Sequence, residues 1–163
     1  MGKREKKIEL IRKYIHNVSS SSTYAYGSIP SSVASNARIS YGGSISNSDI
    51  LGLVDTSITG SGKTGLIFTE HRVYYNNGMF GSRGYISYRD IMNTGKISGD
   101  IFSNDYNRQA LIELLSRLAE IEGKDLGGTL EDVNKAIDGI SKTMDDVEVL
   151  VNKGLDLLGR FLK

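Results

Sequence analysis

The stretch "TGSGKTGLIFTEHRVYYNN", residues 59–77, decides the fold. Its opening looks like a nucleotide-phosphate loop, and its remainder says what that loop is joined to. A phosphate loop has the form G-x-x-x-x-G-K-[ST] and lies between a buried strand and a helix whose N-terminus faces the anion. Gly62, Lys63 and Thr64 fit the end of the pattern, but Ser57 stands where its first glycine belongs. After Thr64 comes a run rich in Ile, Phe, Val and Tyr, which are strand formers. The preceding "DILGLVDTS", residues 49–57, also reads as a strand. The glycine-rich segment between them is then the connection of a β-hairpin, which leaves nucleotide hydrolysis as the most distant reading of function.

Working outward, "EHR" turns the chain into "VYYNN", and "GMFGSRG" turns it again into "YISYRDI". Two shorter strands are expected around "GKISG" and "IFSN". Short strands linked by Gly- and Asn-rich turns over residues 48–103 predict an antiparallel barrel or sandwich. A helix follows over 106–122, capped near Asp105, lined by Leu111, Leu114, Leu115, Leu118 and Ile121, and ended by Gly123. Such a helix suits the open end of a curved sheet.

Before the strands, residues 3–17 predict a helix with Ile8, Ile11 and Ile15 on one face and Lys3, Arg4, Lys6, Lys7, Arg12 and Lys13 on the other. The basic face is read as solvated, or as a weak contact with an anionic membrane or an acidic protein. "SSSSTYAYGS" reads as a flexible connection. A second helix is expected after Pro30, capped by Ser31 or Ser32.

The 163 residues, 39% of them hydrophobic, supply one modest core. Basic and acidic residues nearly cancel to a net charge of +1, so nothing global points to nucleic acid. No cysteine is present, which removes disulfides and thiolate chemistry and suits a cytoplasmic protein. No stretch reads as a secretory signal or a membrane span.

"GLIFTEHRVYYNN…YISYRDI" resembles the bacterial pleckstrin-homology-like (PH-like) domains and their GRAM relatives, with "DTSITGSGKTGL" as the small glycine-rich turn between the first strands. "IP…NARISY", at Ile29–Pro30 and Asn36–Tyr41, is similar to the short helix those proteins carry in front. The resemblance covers residues 29–122. It implies an α+β fold: a bent antiparallel β-barrel of seven strands, capped by the helix at 106–122. It implies binding of lipid headgroups, peptides or proteins rather than catalysis. Lipid-binding members use a lysine on the first hairpin and a basic-x-Arg pair on the next strand; the matching positions here are Lys63 and Arg72, with Glu70 at the other basic position. Residues 1–28 then form a basic amphipathic helix and linker, 29–123 the PH-like domain, and 124–163 a helical tail.

The tail is the most regular pattern in the chain. Thr129 and Asp132 resemble a capping box. Leu130, Val133, Ile137, Ile140, Met144, Val147 and Val151 follow 3-4 spacing, and Leu158 and Phe161 resume it after Gly154. A straight helix over 130–161 would extend about 48 Å. The seam folds back on the barrel, pairs with another copy or a partner's helix, or lies on a membrane surface, the last opposed by its acidic polar face.

His16 and His71 belong to no metal or triad spacing, and the dense carboxylates sit at helix-surface positions. No catalytic residue, metal site or cofactor motif is recognised. The leading expectation is a non-enzymatic protein-interaction module. The runner-up is a peripheral anionic-lipid module using Lys63, Arg72 and the first helix. If the tail is an association element, Ile137→Asp with Met144→Asp should dissociate an oligomer and leave the barrel folded. Light scattering on the full chain and on a chain truncated at Gly127 checks this; a monomer whose barrel melts on truncation would show instead a helix folded back in cis.

Overall fold

A computed structural model describes residues 1–125 and 148–150. Its elements are helix α1 (Lys3–Val18), β1 (Ser22–Ala25), α2 (Ser31–Tyr41), β2 (Gly52–Asp55), β3 (Gly65–Phe68), β4 (Arg72–Asn76), β5 (Arg83–Ser87), α3 (Tyr88–Thr94), β6 (Lys96–Ser98), α4 (Arg108–Asp125) and β7 (Glu148–Leu150). Strands β1 to β5 form an antiparallel sheet in sequence order, and β6 pairs with β7. The fold is α+β.

Alternation along each strand feeds two cores. Val54, Leu66, Phe68, Val73 and Tyr75 face a layer built from Ile11, Ile15 and Val18 of α1, Ile91 of α3 and the leucines of α4. Leu53 and Ile67 face the opposite way, against Val33, Ala34, Ala37 and Tyr41 of α2. The sheet is thus sandwiched between one helix and three, and its central strands β2 and β3 are buried along their whole length.

Three expectations are corrected. The sheet is open rather than a closed barrel, with β1 and β5 at its edges. The physical reason lies in "YISYRDI": the strand stops at Ser87, whose hydroxyl accepts from the Asp90 N–H at 3.3 Å and caps α3. Gly95 then ends α3 in the left-handed conformation, and β6 goes on to pair with β7 instead of the main sheet. "IFSN" contributes no strand, because Gly99–Ile101 closes into a single 3-10 turn. In the segment read as a flexible connection, Ser22–Ala25 is strand β1, paired with β2.

Smaller differences have local causes. Helix α2 begins at Ser31 with Pro30 as its N-cap residue and no side-chain cap. The cap expected near Asp105 at the start of α4 is Asn107, whose side-chain oxygen accepts from the Ala110 N–H at 3.1 Å. Gly123 does not end α4; it lies inside the helix, where a Cβ would come within 2.7 Å of the Met92 sulfur. In the tail, Glu148–Leu150 pairs as a strand where a helix was expected, consistent with the β-branched alternation of Val147, Val149 and Val151. The seam positions themselves, Leu130, Val133, Ile137, Ile140, Met144, Val147, Val151, Leu158 and Phe161, lie outside the described residues.

The tightest backbone requirement of the hairpin over residues 56–64 is at Gly65. Gly65 has φ +134°, and a Cβ there would sit 1.8 Å from the Val54 carbonyl oxygen. Gly65→Ala should therefore destabilise the chain by about 3 kcal/mol or more. Gly60→Ala, at φ +73° with nothing within 4 Å, should cost only about 1 kcal/mol. Urea unfolding followed by circular dichroism checks the contrast, and equal losses would show that the close approach to Val54 is not the constraint.

Candidate functional site

Antiparallel connectivity places successive turns at alternate ends of the sheet. The 56–64 and 77–82 loops share one end, and the 69–71 turn lies at the other. Lys63 belongs to the first end, where its carbonyl accepts from Asn76 Nδ2 and Ser40 Oγ, each at 3.0 Å. Arg72 opens β4 at the second end, opposite Ser87. Four residues of strand, about 13 Å, separate Asn76 from Arg72. The two cations expected to act together are thus held apart. Strand β3 directly follows Thr64 and pairs back on β2, so the loop carrying Lys63 has no helix behind its lysine.

At the Arg72 end is a cleft of about 400 Å³ whose lining includes Arg4, Ile45, Asp49, Glu70, His71 and Arg72. Its charges are engaged internally. Arg4 lies 3.9 Å from Glu70 and donates to the Ser48 carbonyl at 3.0 Å. The Arg72 guanidinium stacks over the Tyr85 ring at 4.6 Å, and Tyr85 in turn meets Tyr74 with centroids 5.8 Å apart.

Beneath this cleft lies an ion pair that the helix reading did not anticipate. Lys7, assigned to the solvated basic face, is 1% exposed and donates to the Glu122 carboxylate and to the Glu70 carbonyl. Its position was legible: Lys7, Ile11, Ile15 and Val18 share one helical stripe. His71 Nδ1 and Arg89 approach the same carboxylate at 3.7 and 3.5 Å. Burial works to raise the Glu122 pKa, but the Lys7 hydrogen bond and charge, followed by His71 and Arg89, outweigh it and hold the group below its ordinary value. Tyr88, fully buried under the Lys7 ammonium, donates to the Thr69 and Arg72 carbonyls at 2.8 and 3.1 Å. His16 is elsewhere, with Nδ1 2.6 Å from the Thr23 hydroxyl.

The loop end is built differently. A cleft of about 500 Å³ runs between the two hairpin loops, with Thr56, Ser57, Thr64, Asn77 and Asp105 in its wall. The loop bases are tied down. Asn77 donates to the Asp100 and Ile101 carbonyls at 3.0 Å and accepts from the Tyr106 hydroxyl at 3.1 Å. Ser57 donates to Asp55 Oδ1 from both its amide and its hydroxyl, at 2.9 and 2.6 Å. Asp55 is 3% exposed, yet its second carboxylate oxygen has no hydrogen-bond partner among the described residues, nor does the buried hydroxyl of Tyr41. Burial, with Tyr106 and Asp55 nearby, pushes the Tyr41 pKa well up and keeps the phenol neutral. Above these hydrogen-bonded bases the loop tips are apolar. Ile58 and Phe80 are fully exposed and Met79 is 91% exposed. In the sequence these loops carry Ile58, Met79 and Phe80 inside otherwise polar, glycine-rich stretches, a signal separate from the Lys63 position considered for the first loop.

No family model, curated protein or solved structure matches the chain. Among the described residues no group of His, Asp and Glu side chains is arranged to hold a metal ion, and no helix is long and apolar enough to cross a membrane.

The buried pair gives a sharp test. Lys7→Met should cost about 3–5 kcal/mol by leaving the Glu122 carboxylate buried beside the site of a lost cation, and adding Glu122→Met should recover much of the loss. Because the folded pKa of Glu122 is depressed, its contribution is present above the ordinary value near 4.5 and is lost as pH falls through the folded value. Acid unfolding below that pH should accordingly be shallower in Glu122→Gln than in the parent chain, as read by circular dichroism.

Proposed function

We propose that the chain is a non-enzymatic protein-interaction module that docks through the loop end of its sheet. The observation that carries the reading is the exposure of Ile58, Met79 and Phe80 on two adjacent hairpin tips. Large apolar side chains grouped at one end of a domain are a mark of an interaction surface, and Met and Phe are among the residues enriched at such surfaces. The bases beneath them are hydrogen-bonded to the rest of the fold, so docking orders little additional chain and loses little entropy. The PH-like resemblance belongs to this proposal as a likeness of architecture, without its barrel and without a ligand, and so does a cytoplasmic address. The tail seam from Leu130 to Met144 stays an association element on its sequence pattern.

The lipid reading loses support from the separation of Lys63 and Arg72, and from the internal pairing of charges around Arg72. Photo-crosslinking in the producing cell tests the proposal, with benzoylphenylalanine in place of Phe80 or, as a control at the far end of the sheet, in place of the exposed Asp90. Discrete protein adducts are expected at position 80 and not at position 90. Lipid adducts alone at position 80, or the same adducts at both positions, would overturn it.

A further inference from the structure

Resting on that reading, we infer that the cleft between the hairpin loops takes a single basic side chain, arginine in preference to lysine, from an otherwise apolar segment of a partner protein. The wall residues include a carboxylate, Asp105, and no lysine or arginine. A second carboxylate, Asp55, lies one hydrogen bond behind the wall through Ser57. It is buried, and one of its oxygens has no partner among the described residues. A cation entering the cleft is attracted by Asp105 in the wall and, at longer range, by Asp55 behind it. The hydroxyls of Thr56 and Thr64, 3.0 Å apart, and the Asn77 side chain supply neutral polar surface that tolerates a guanidinium. Arginine is preferred because its planar fork can serve a carboxylate and neighbouring acceptors at once.

The rim sets the rest of the partner's chemistry. Ile58 stands on one side of the cleft, with Met79 and Phe80 on the loop opposite. Apolar residues flanking the basic one would cover these tips and shield the ion pair from water. Lys63 and Arg83 stand on the same hairpins outside the cleft wall, exposed. They disfavour a run of several basic residues, so one cation in an apolar setting matches the site better than a polybasic tract. An anionic bilayer is the less suitable occupant, because the cleft would bring carboxylates toward a negatively charged surface.

The test titrates the full chain into labelled seven-residue peptides with a central arginine between leucine and phenylalanine residues, followed by fluorescence anisotropy. Matched peptides carry citrulline or glutamate at the centre. Arginine peptides should bind, and the citrulline and glutamate versions should bind at least about tenfold more weakly, as expected for loss of a charge-assisted contact. Asp105→Asn should reproduce about that loss, and Phe80→Ser should weaken every peptide; both positions are exposed, and unchanged melting curves would confirm intact folds. Equal binding of arginine and citrulline peptides, preference for glutamate, or indifference to Asp105→Asn would overturn the inference while leaving a protein-interaction module standing. No peptide binding, together with sedimentation on phosphatidylcholine–phosphatidylserine vesicles that Phe80→Ser abolishes, would overturn the inference and the proposed function together.

Discussion

Strands of four or five residues carry too few ladder hydrogen bonds to form a stable sheet by themselves. In this protein the sheet depends on burial of both its faces. Leu66 and Phe68 point toward α1 and α4 while Ile67 points toward α2, and all three are fully buried. Each such side chain contributes about 1.5–3 kcal/mol on leaving water. Removing the helices on either face would leave strands too short to pair. That is why the chain keeps a helix before β1 and another between β1 and β2, and why α1 comes so close that a Cβ at Gly52 would overlap the Ile11 side chain. Pairing and helix packing therefore have to form together.

The Lys7–Glu122 pair joins residues 115 positions apart within that layer. Its contribution is specificity of arrangement more than net stability, since desolvating two charges offsets much of their attraction. With Glu122 on α4, Lys7 on α1, Glu70 and His71 in the turn before β4 and Arg89 on α3, one carboxylate gathers four elements. A slip of α1 by one residue along α4 would bury an unpaired ammonium, which penalises the wrong register far more than the right register is rewarded.

Hydrophobic periodicity made α1, α2 and α4 legible in the sequence, and turn chemistry exposed the β2–β3 and β3–β4 hairpins. What was missed has identifiable causes. Strand β1 hides in a serine-rich segment because only Ala25 of its residues is buried, so composition outweighed pattern. Helix α3 hides because Tyr88 and Ile91 suit a strand as well as a helix; the deciding clue was the spacing of Ser87 and Asp90, a capping pattern masked by its aromatic neighbours. Lys7 was misplaced by residue type although its position in the helix was right. The separation of Lys63 and Arg72 was also legible, since consecutive hairpin turns lie at opposite ends of an antiparallel sheet. Family likeness paired those cations where connectivity kept them apart. That Asp55 and Tyr41 each keep an oxygen without a partner among the described residues was not legible at all, because it depends on tertiary packing rather than on local pattern.

The two ends of the sheet differ in how charge is handled. At the Arg72 end, opposite charges and aromatic faces meet within the fold, so an incoming anion would have to displace partners already in contact and compete with carboxylates held beside them. At the loop end the hydrogen bonds are spent on fixing the loop bases, while the apolar tips and the buried Asp55 oxygen are left without a counterpart in the described fold. Folding alone gives no reason to retain fully exposed Ile and Phe side chains at these loop tips, because glycine-rich hairpins form as readily with polar residues there. Under the proposed function the reason is docking, which removes those side chains from water when another surface covers them.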